Sequence, residues 1–263
     1  MAPKEAPPRR RWCVCVTLVL AGGFVSLPHA GADILNPVFS IQATNDSGSG
    51  SFSATFDQGV WDPVTQTYTW SLAAPLDLLD GPAHVATLQG GDLTIDAGST
   101  PQFDLSFEVI AGSSHTEFAV DSALLSFATI SADEAAGRFV VGATVWDLSE
   151  PSDGVWIIGR GPSMGIFQAL YNGRSPDGSV FREALGVVGI GPGGGMASGG
   201  EVYPNAGYAP FNDQVSDMSV HSAFMLTADD HARGTATYGV VPEPTALLLL
   251  AVGGTLMGGR RRA

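Results

Sequence analysis

Phe103-Asp104-Leu105-Ser106-Phe107-Glu108-Val109 alternates large apolar and polar residues without a break. Successive side chains of a β-strand point to opposite faces, so the four apolar residues share one face and Asp104, Ser106 and Glu108 the other. This is the pattern of a half-buried strand. The same period recurs at Phe52-Ala54-Phe56, Tyr68-Trp70-Leu72, Leu93-Ile95, Phe118-Val120, Phe139-Val141-Ala143-Val145, Val220-Ser222-Phe224-Leu226 and Thr235-Thr237. Clusters of Gly, Asp, Asn, Ser or Pro separate most of these runs, and nothing between residues 33 and 240 has a helical period with caps. Many short strands divided by turns predict an all-β fold, an antiparallel β-sandwich or jelly roll over residues 33–240. Residues 186–200 hold eight glycines in fifteen positions and are expected to form a long surface loop within that domain. No internal repeat of fixed period is present, which argues against a solenoid or propeller.

The charge is distributed unevenly. Residues 1–32 carry +3 and residues 242–263 carry +2, so the whole-chain charge of -14 leaves -19 for the middle, which has 24 carboxylates, five arginines and no lysine. Such a field repels polyanions and excludes nucleic acid as a partner. Both cysteines, Cys13 and Cys15, lie near the N-terminus, so the middle has no thiol for a disulfide, a metal or nucleophilic catalysis. A domain of about 200 residues buries enough apolar surface to do without staples.

The two ends read as addresses. Arg9-Arg10-Arg11, an apolar stretch from Trp12 to Leu27 and the small residues Ala30 and Ala32 form the three parts of a secretory signal peptide spanning residues 1–32, with cleavage by signal peptidase expected before Asp33. An uncleaved membrane helix is the alternative. At the other end, Pro242-Glu243-Pro244 precedes an apolar run over 245–259 and the cluster Arg260-Arg261-Arg262. The prolines keep their segment extended, and the arginines hold the end of an apolar helix on the cytoplasmic side. Fifteen helical residues reach about 22 Å against a hydrocarbon core of about 30 Å, a marginal anchor for a transmembrane helix. A simple C-terminal membrane anchor is the alternative, which the shortness of the helix disfavours.

Val-Pro-Glu-Pro, a short apolar helix and a terminal arginine cluster resemble the PEP-CTERM sorting signal of Gram-negative bacteria that secrete extracellular polysaccharide. The resemblance covers about the last 23 residues. It implies that a membrane-embedded cysteine protease, an exosortase, recognises Pro242, Glu243 and Pro244 as substrate and detaches the protein from its transient helix. Phe118–Phe127 and Phe224–Asp230 also resemble segments of other exported PEP-CTERM proteins and carry no catalytic signature. The implied destination is the cell surface or the extracellular space, with extracellular polysaccharide as a prospective partner.

Motifs in the middle are weaker. Gly161-Pro162-Ser163-Met164-Gly165 matches G-x-S-x-G, but a hydrolase elbow needs a helix after it, and Ile166–Gly173 is too short before a turn to supply one. Asp213, Asp217, His221 and His231 complete a triad order that a chain so rich in aspartate offers cheaply; a Gly-Pro turn is the simpler reading. Gly189-Ile190-Gly191-Pro192-Gly193-Gly194 matches G-x-G-x-x-G but runs on into glycine instead of a phosphate-binding helix. His84, His115, His221 and His231 lack zinc-ligand spacing. Asp77/Asp80, Asp92/Asp96, Asp133/Glu134 and Asp229/Asp230 stand near turns, where Ca²⁺ is conceivable, yet none has the spacing of a calcium loop.

No cofactor, metal or catalytic residue is therefore assigned. Three functions stay open: a non-enzymatic surface or biofilm-matrix protein, a carbohydrate- or calcium-dependent binding module, and a secreted hydrolase built on Ser163. The second requires Trp61, Trp70, Trp146 or Trp156 to be exposed as a platform for sugar rings.

Overall fold

The computed structural model describes residues 32–149 and 153–242. Within them the chain is all-β, with one 3-10 turn at Phe56–Gln58. The strands are β1 (Asp33–Asn45), β2 (Gly48–Ala54), β3 (Val60–Asp62), β4 (Thr67–Ser71), β5 (Leu76–Asp80), β6 (Ala83–Asp96), β7 (Gln102–Ala111), β8 (Thr116–Ile130) and β9 (Ala135–Trp146). They continue as β10 (Val155–Gly159), β11 (Phe167–Tyr171), β12 (Ser179–Ala184), β13 (Val187–Ile190), β14 (Met196–Tyr203), β15 (Ala209–Pro210), β16 (Val215–Leu226) and β17 (His231–Pro242). A first antiparallel sheet has the order β12-β11-β16-β8-β1-β2, with β10 also on β16 and β13 on β10. A second runs β14-β9-β17-β7-β6-β4-β3, with β15 on β9 and β5 on β6.

The alternation in β7 works as its sequence predicts: Phe103, Leu105, Phe107 and Val109 are all buried. They face the first sheet. The Phe107 ring stacks on Phe224 of β16 at 5.6 Å and lies 6.1 Å from Phe167 of β11, so one side chain joins the two layers. Gly234 of β17, opposite Phe107, leaves the room this ring needs; a Cβ there would stand 2.2 Å from it. Trp70 stacks on Phe39 at 4.8 Å and on Phe52 at 6.2 Å, closing the other end of the same core. The result is a sandwich with one continuous hydrophobic interior.

The glycine-rich segment 186–200 is not a loop throughout. It contains β13 and the start of β14, and it carries the chain from the first sheet to the second through a turn at 191–195. Two of its strand glycines serve close packing: a Cβ at Gly189 would lie 2.4 Å from the Trp156 ring, and one at Gly199 would lie 2.8 Å from Val188. The absence of a side chain is what lets neighbouring groups sit directly on the strand.

Strands β10 and β11 both pair antiparallel with β16, one after the other along its length. Between them Arg160 N–H donates to the Ala223 carbonyl at 2.8 Å, and Ala223 N–H donates to Ile166 O at 3.0 Å. The ladder is thus continuous across Ala223, while residues 161–165 are looped out of it.

Candidate functional site

The looped-out residues are Gly161-Pro162-Ser163-Met164-Gly165, and they stand over the solvent-facing side of the first sheet. Two internal bonds close the turn, Gly161 N–H to Gly165 O at 3.1 Å and Met164 N–H to Gly161 O at 2.8 Å. Glu183 of β12 holds it from the side, accepting from Ser163 N–H at 2.9 Å and from Gly165 N–H at 2.5 Å. Charge-assisted acceptance of two amides is a strong local clamp. Strand β11 follows, not a helix, so the serine is not placed on a hydrolase elbow.

Among the described residues no hydrogen bond joins His221 to Ser163. The His221 Nδ1 lies 2.7 Å from Asp121 Oδ1 on the adjacent strand β8. The pair belongs to one cross-strand row, Glu183–Gln168–His221–Asp121–Ser40–Ser53, whose members are direct register partners from β12 to β2. Residues paired in this way project on one face, here the outer one. Gln168 is 4% exposed, and its Nε2 has no hydrogen-bond partner.

This row floors a hollow of about 210 Å³, lined by Gln168, Leu170, Val180, His221 and Ala223 and walled by the 160–162 and 175–178 segments. The second wall is anchored by Arg174, whose guanidinium donates to the carbonyls of Leu35, Asn36 and Pro37 at 2.7, 3.2 and 3.1 Å. The Asp217 carboxylate adds a bond from Gly173 N–H at 2.6 Å. Beyond the first wall, Arg160 lies along the face, with Nη2 3.1 Å from Met225 Sδ and Nε 3.2 Å from Glu117. Further along β10 stands Trp156, 41% exposed, its ring seated over Gly189.

The other tryptophans divide by environment. Trp70 is core, Trp146 stacks on His231 at 4.5 Å, and Trp61 is 36% exposed on short β3 beside Phe56. His231 faces Glu108 at 2.8 Å, and His84 bonds Thr87. Six of the eight acids named as calcium candidates are taken up locally, Asp230 among them: Asp77 accepts from Thr87, Asp80 from Ser49 N–H, Asp92 from Ser71 and Ser106, Asp96 from Gly98 N–H, and Glu134 from Ser131. Asp230 is fully buried and accepts from Leu148 N–H at 3.3 Å and from the Thr227 hydroxyl. Burial pushes its carboxyl pKa up, the two hydrogen bonds oppose that rise, and the nearby Asp147 and Asp153 charges reinforce it. Among the described residues no group of three or more His, Cys, Asp or Glu is arranged to hold a metal ion.

Of the expected processing residues, Ala32 precedes β1 and packs partly against the core, and Pro242 is the exposed last residue of β17, opposite Ala135. Ala30, Glu243, Pro244, Arg260, Arg261 and Arg262, with the signal peptide's apolar run and the 245–259 helix, lie outside the described residues. Sequence reasoning named Ser163, His221 and Trp156 but missed Gln168 and Glu183. Their significance comes from partners 53 and 20 positions away, His221 and Ser163, which only the strand register brings together. Comparison with protein-family models and with curated proteins finds no match.

Proposed function

We propose that this chain is an exported cell-surface or extracellular-matrix protein, led out by a signal peptide ending at Ala30-Gly31-Ala32 and processed at Pro242-Glu243-Pro244. What carries the reading is the pair of terminal sequence patterns, Arg9-Arg10-Arg11 with an apolar stretch and Ala30-Gly31-Ala32 at one end, and Pro242-Glu243-Pro244 with an apolar run and Arg260-Arg261-Arg262 at the other, with the sandwich filling the interval between them. A folded unit bracketed by its own processing sites is what a passenger of two terminal signals requires. Signal peptidase and an exosortase act on it in turn, and the membrane holds it through the 245–259 helix between the two steps.

The mature sandwich then works by binding and not by chemistry on Ser163. Among the described residues no hydrogen bond joins Ser163 to His221, and the serine stands in a turn between two strands with no helix after it. No cofactor is needed for this role.

The test follows the chain through processing in a polysaccharide-secreting Gram-negative host. With an epitope placed after Ala263, the wild-type protein is expected to lose the epitope and leave the membrane fraction. Replacement of Pro242 and Glu243 by alanine is expected to leave the epitope attached and the protein membrane-bound. Equal processing and release of both forms would falsify the sorting reading.

A further inference from the structure

We propose that the outer face of the first sheet, from Trp156 to the hollow floored by Gln168 and His221, binds a neutral oligosaccharide. Three independent features point there. The first is the indole of Trp156, seated over Gly189 and 41% exposed, which is a flat apolar surface of the kind that stacks on the C–H face of a sugar ring. A hydrophobic ring of that size at the surface gains nothing from water.

The second is the floor of the hollow. Gln168 is 4% exposed with Nε2 unpartnered, and an unmatched buried donor costs about 1–3 kcal/mol. Gln168 lines the hollow, so a hydroxyl entering there meets its carboxamide. Next to it, the His221 Nδ1–H donated to the Asp121 carboxylate leaves Nε2 as an acceptor in the neutral ring. One donor beside one acceptor matches a hydroxyl, which does both. The hollow, about 210 Å³, is smaller than pockets for drug-sized ligands, which run from about 300 Å³, and suits a single ring.

The third is charge. Of the two arginines that border this stretch, Arg160 is already 3.2 Å from Glu117 and Arg174 is taken up by the carbonyls of Leu35, Asn36 and Pro37, while Asp121 and Glu183 stand along the same face. Together with the -19 of the middle, this disfavours an acidic polysaccharide and leaves a neutral one unopposed. Trp156 and Arg160 are four residues apart, about 13 Å on an extended strand. The platform and the hollow are therefore separated along one track, which calls for a chain of sugars and not a lone monosaccharide. Leu170 and Val180 supply apolar walls at its closed end.

This site does not rest on the export reading, and sorting and sugar binding fail in separate assays. The full chain, purified in detergent micelles, is titrated calorimetrically with cellohexaose, laminarihexaose, mannohexaose and, as the acidic comparison, hexagalacturonate. At least one neutral hexasaccharide is expected to bind, and hexagalacturonate more weakly than it. Trp156→Ala is expected to weaken that binding at least tenfold with Trp156→Phe intermediate, Gln168→Ala to weaken it several-fold, and Trp61→Ala, at a similarly exposed ring elsewhere, to leave it unchanged. Because Trp156 and Trp61 are both surface residues, unfolding does not confound that pair. The proposal is overturned if no neutral hexasaccharide binds, if the acidic one binds best, or if Trp156→Ala behaves as Trp61→Ala does.

Discussion

The two outer faces of the sandwich are built from the same kind of strand, but the β10–β11 end of the first treats its polar groups differently from the second. On the second sheet, short side chains complete one another across strands: Thr237 donates to Asp104 at 2.6 Å, Ser71 and Ser106 to Asp92 at 2.7 and 3.2 Å, and Thr144 pairs with Ser198 at 3.0 Å. On the first sheet, Arg160 spans Met225 to reach Glu117, Gln168 Nε2 has no partner, and Trp156 stands out from the surface. A face that only meets water closes its hydrogen bonds within itself. A face with long side chains, an unmatched amide and an exposed ring keeps capacity for something else.

That contrast presumes that both faces share one core, and the largest prediction tests the presumption. Phe107→Ala removes the ring that touches both layers and is expected to cost about 3–5 kcal/mol, with tryptophan fluorescence and far-UV circular dichroism moving at a single denaturant midpoint. Two separated transitions would mean that the sheets are independent units and that comparing their faces says little. The next prediction sets one face against the other. Glu183→Ala releases the Ser163 and Gly165 amides and is expected to cost about 1–3 kcal/mol, with faster hydrogen exchange confined to residues 161–165. Thr237→Val on the second sheet is expected to change stability by less than about 0.5 kcal/mol. Equal costs would erase the distinction.

The smallest effect is at the rim, where the β16–β17 connection passes between the sheets. Asp230 has a carboxyl pKa raised by burial, so its contribution to stability is fully present below the unfolded pKa of about 4 and is lost as pH rises through the folded value. Asp230→Asn abolishes that loss. The variant's stability relative to wild type is therefore expected to increase as pH is raised from 4 to 7, measured by urea midpoints at each pH. A difference that is flat or falls with pH contradicts the assignment.

The fold was legible wherever one face of a strand meets water. Residues 103–109, 139–145 and 220–226 alternate because the core takes every second side chain and solvent the rest. It was illegible where that asymmetry fails. All five residues of β11 are buried, Gln168 included, since the hollow's walls cover the face that would otherwise be wet, so no alternation marks the strand. Strands β13 and β14 were hidden for a different reason: glycine is the ordinary sign of a turn, and here it makes space for Trp156 and Val188. The candidate site was legible only in fragments. Ser163 and His221 stood out as the currency of hydrolases, yet the structure gives them different partners, and Gln168 had no local signal at all.

The continuity of the sheet across Ala223 has a consequence for how this surface can change. Because Arg160 and Ile166 both bond to that one residue, the register of β10, β11 and β16 is set without reference to what lies between them. Changes within residues 161–165 that keep the close approach of Gly161 and Gly165 to Glu183 are expected to leave the neighbouring strands in step. The rim of the hollow is thereby separable from the interior, and a protein engineer has at the same place a five-residue cassette for grafting new recognition.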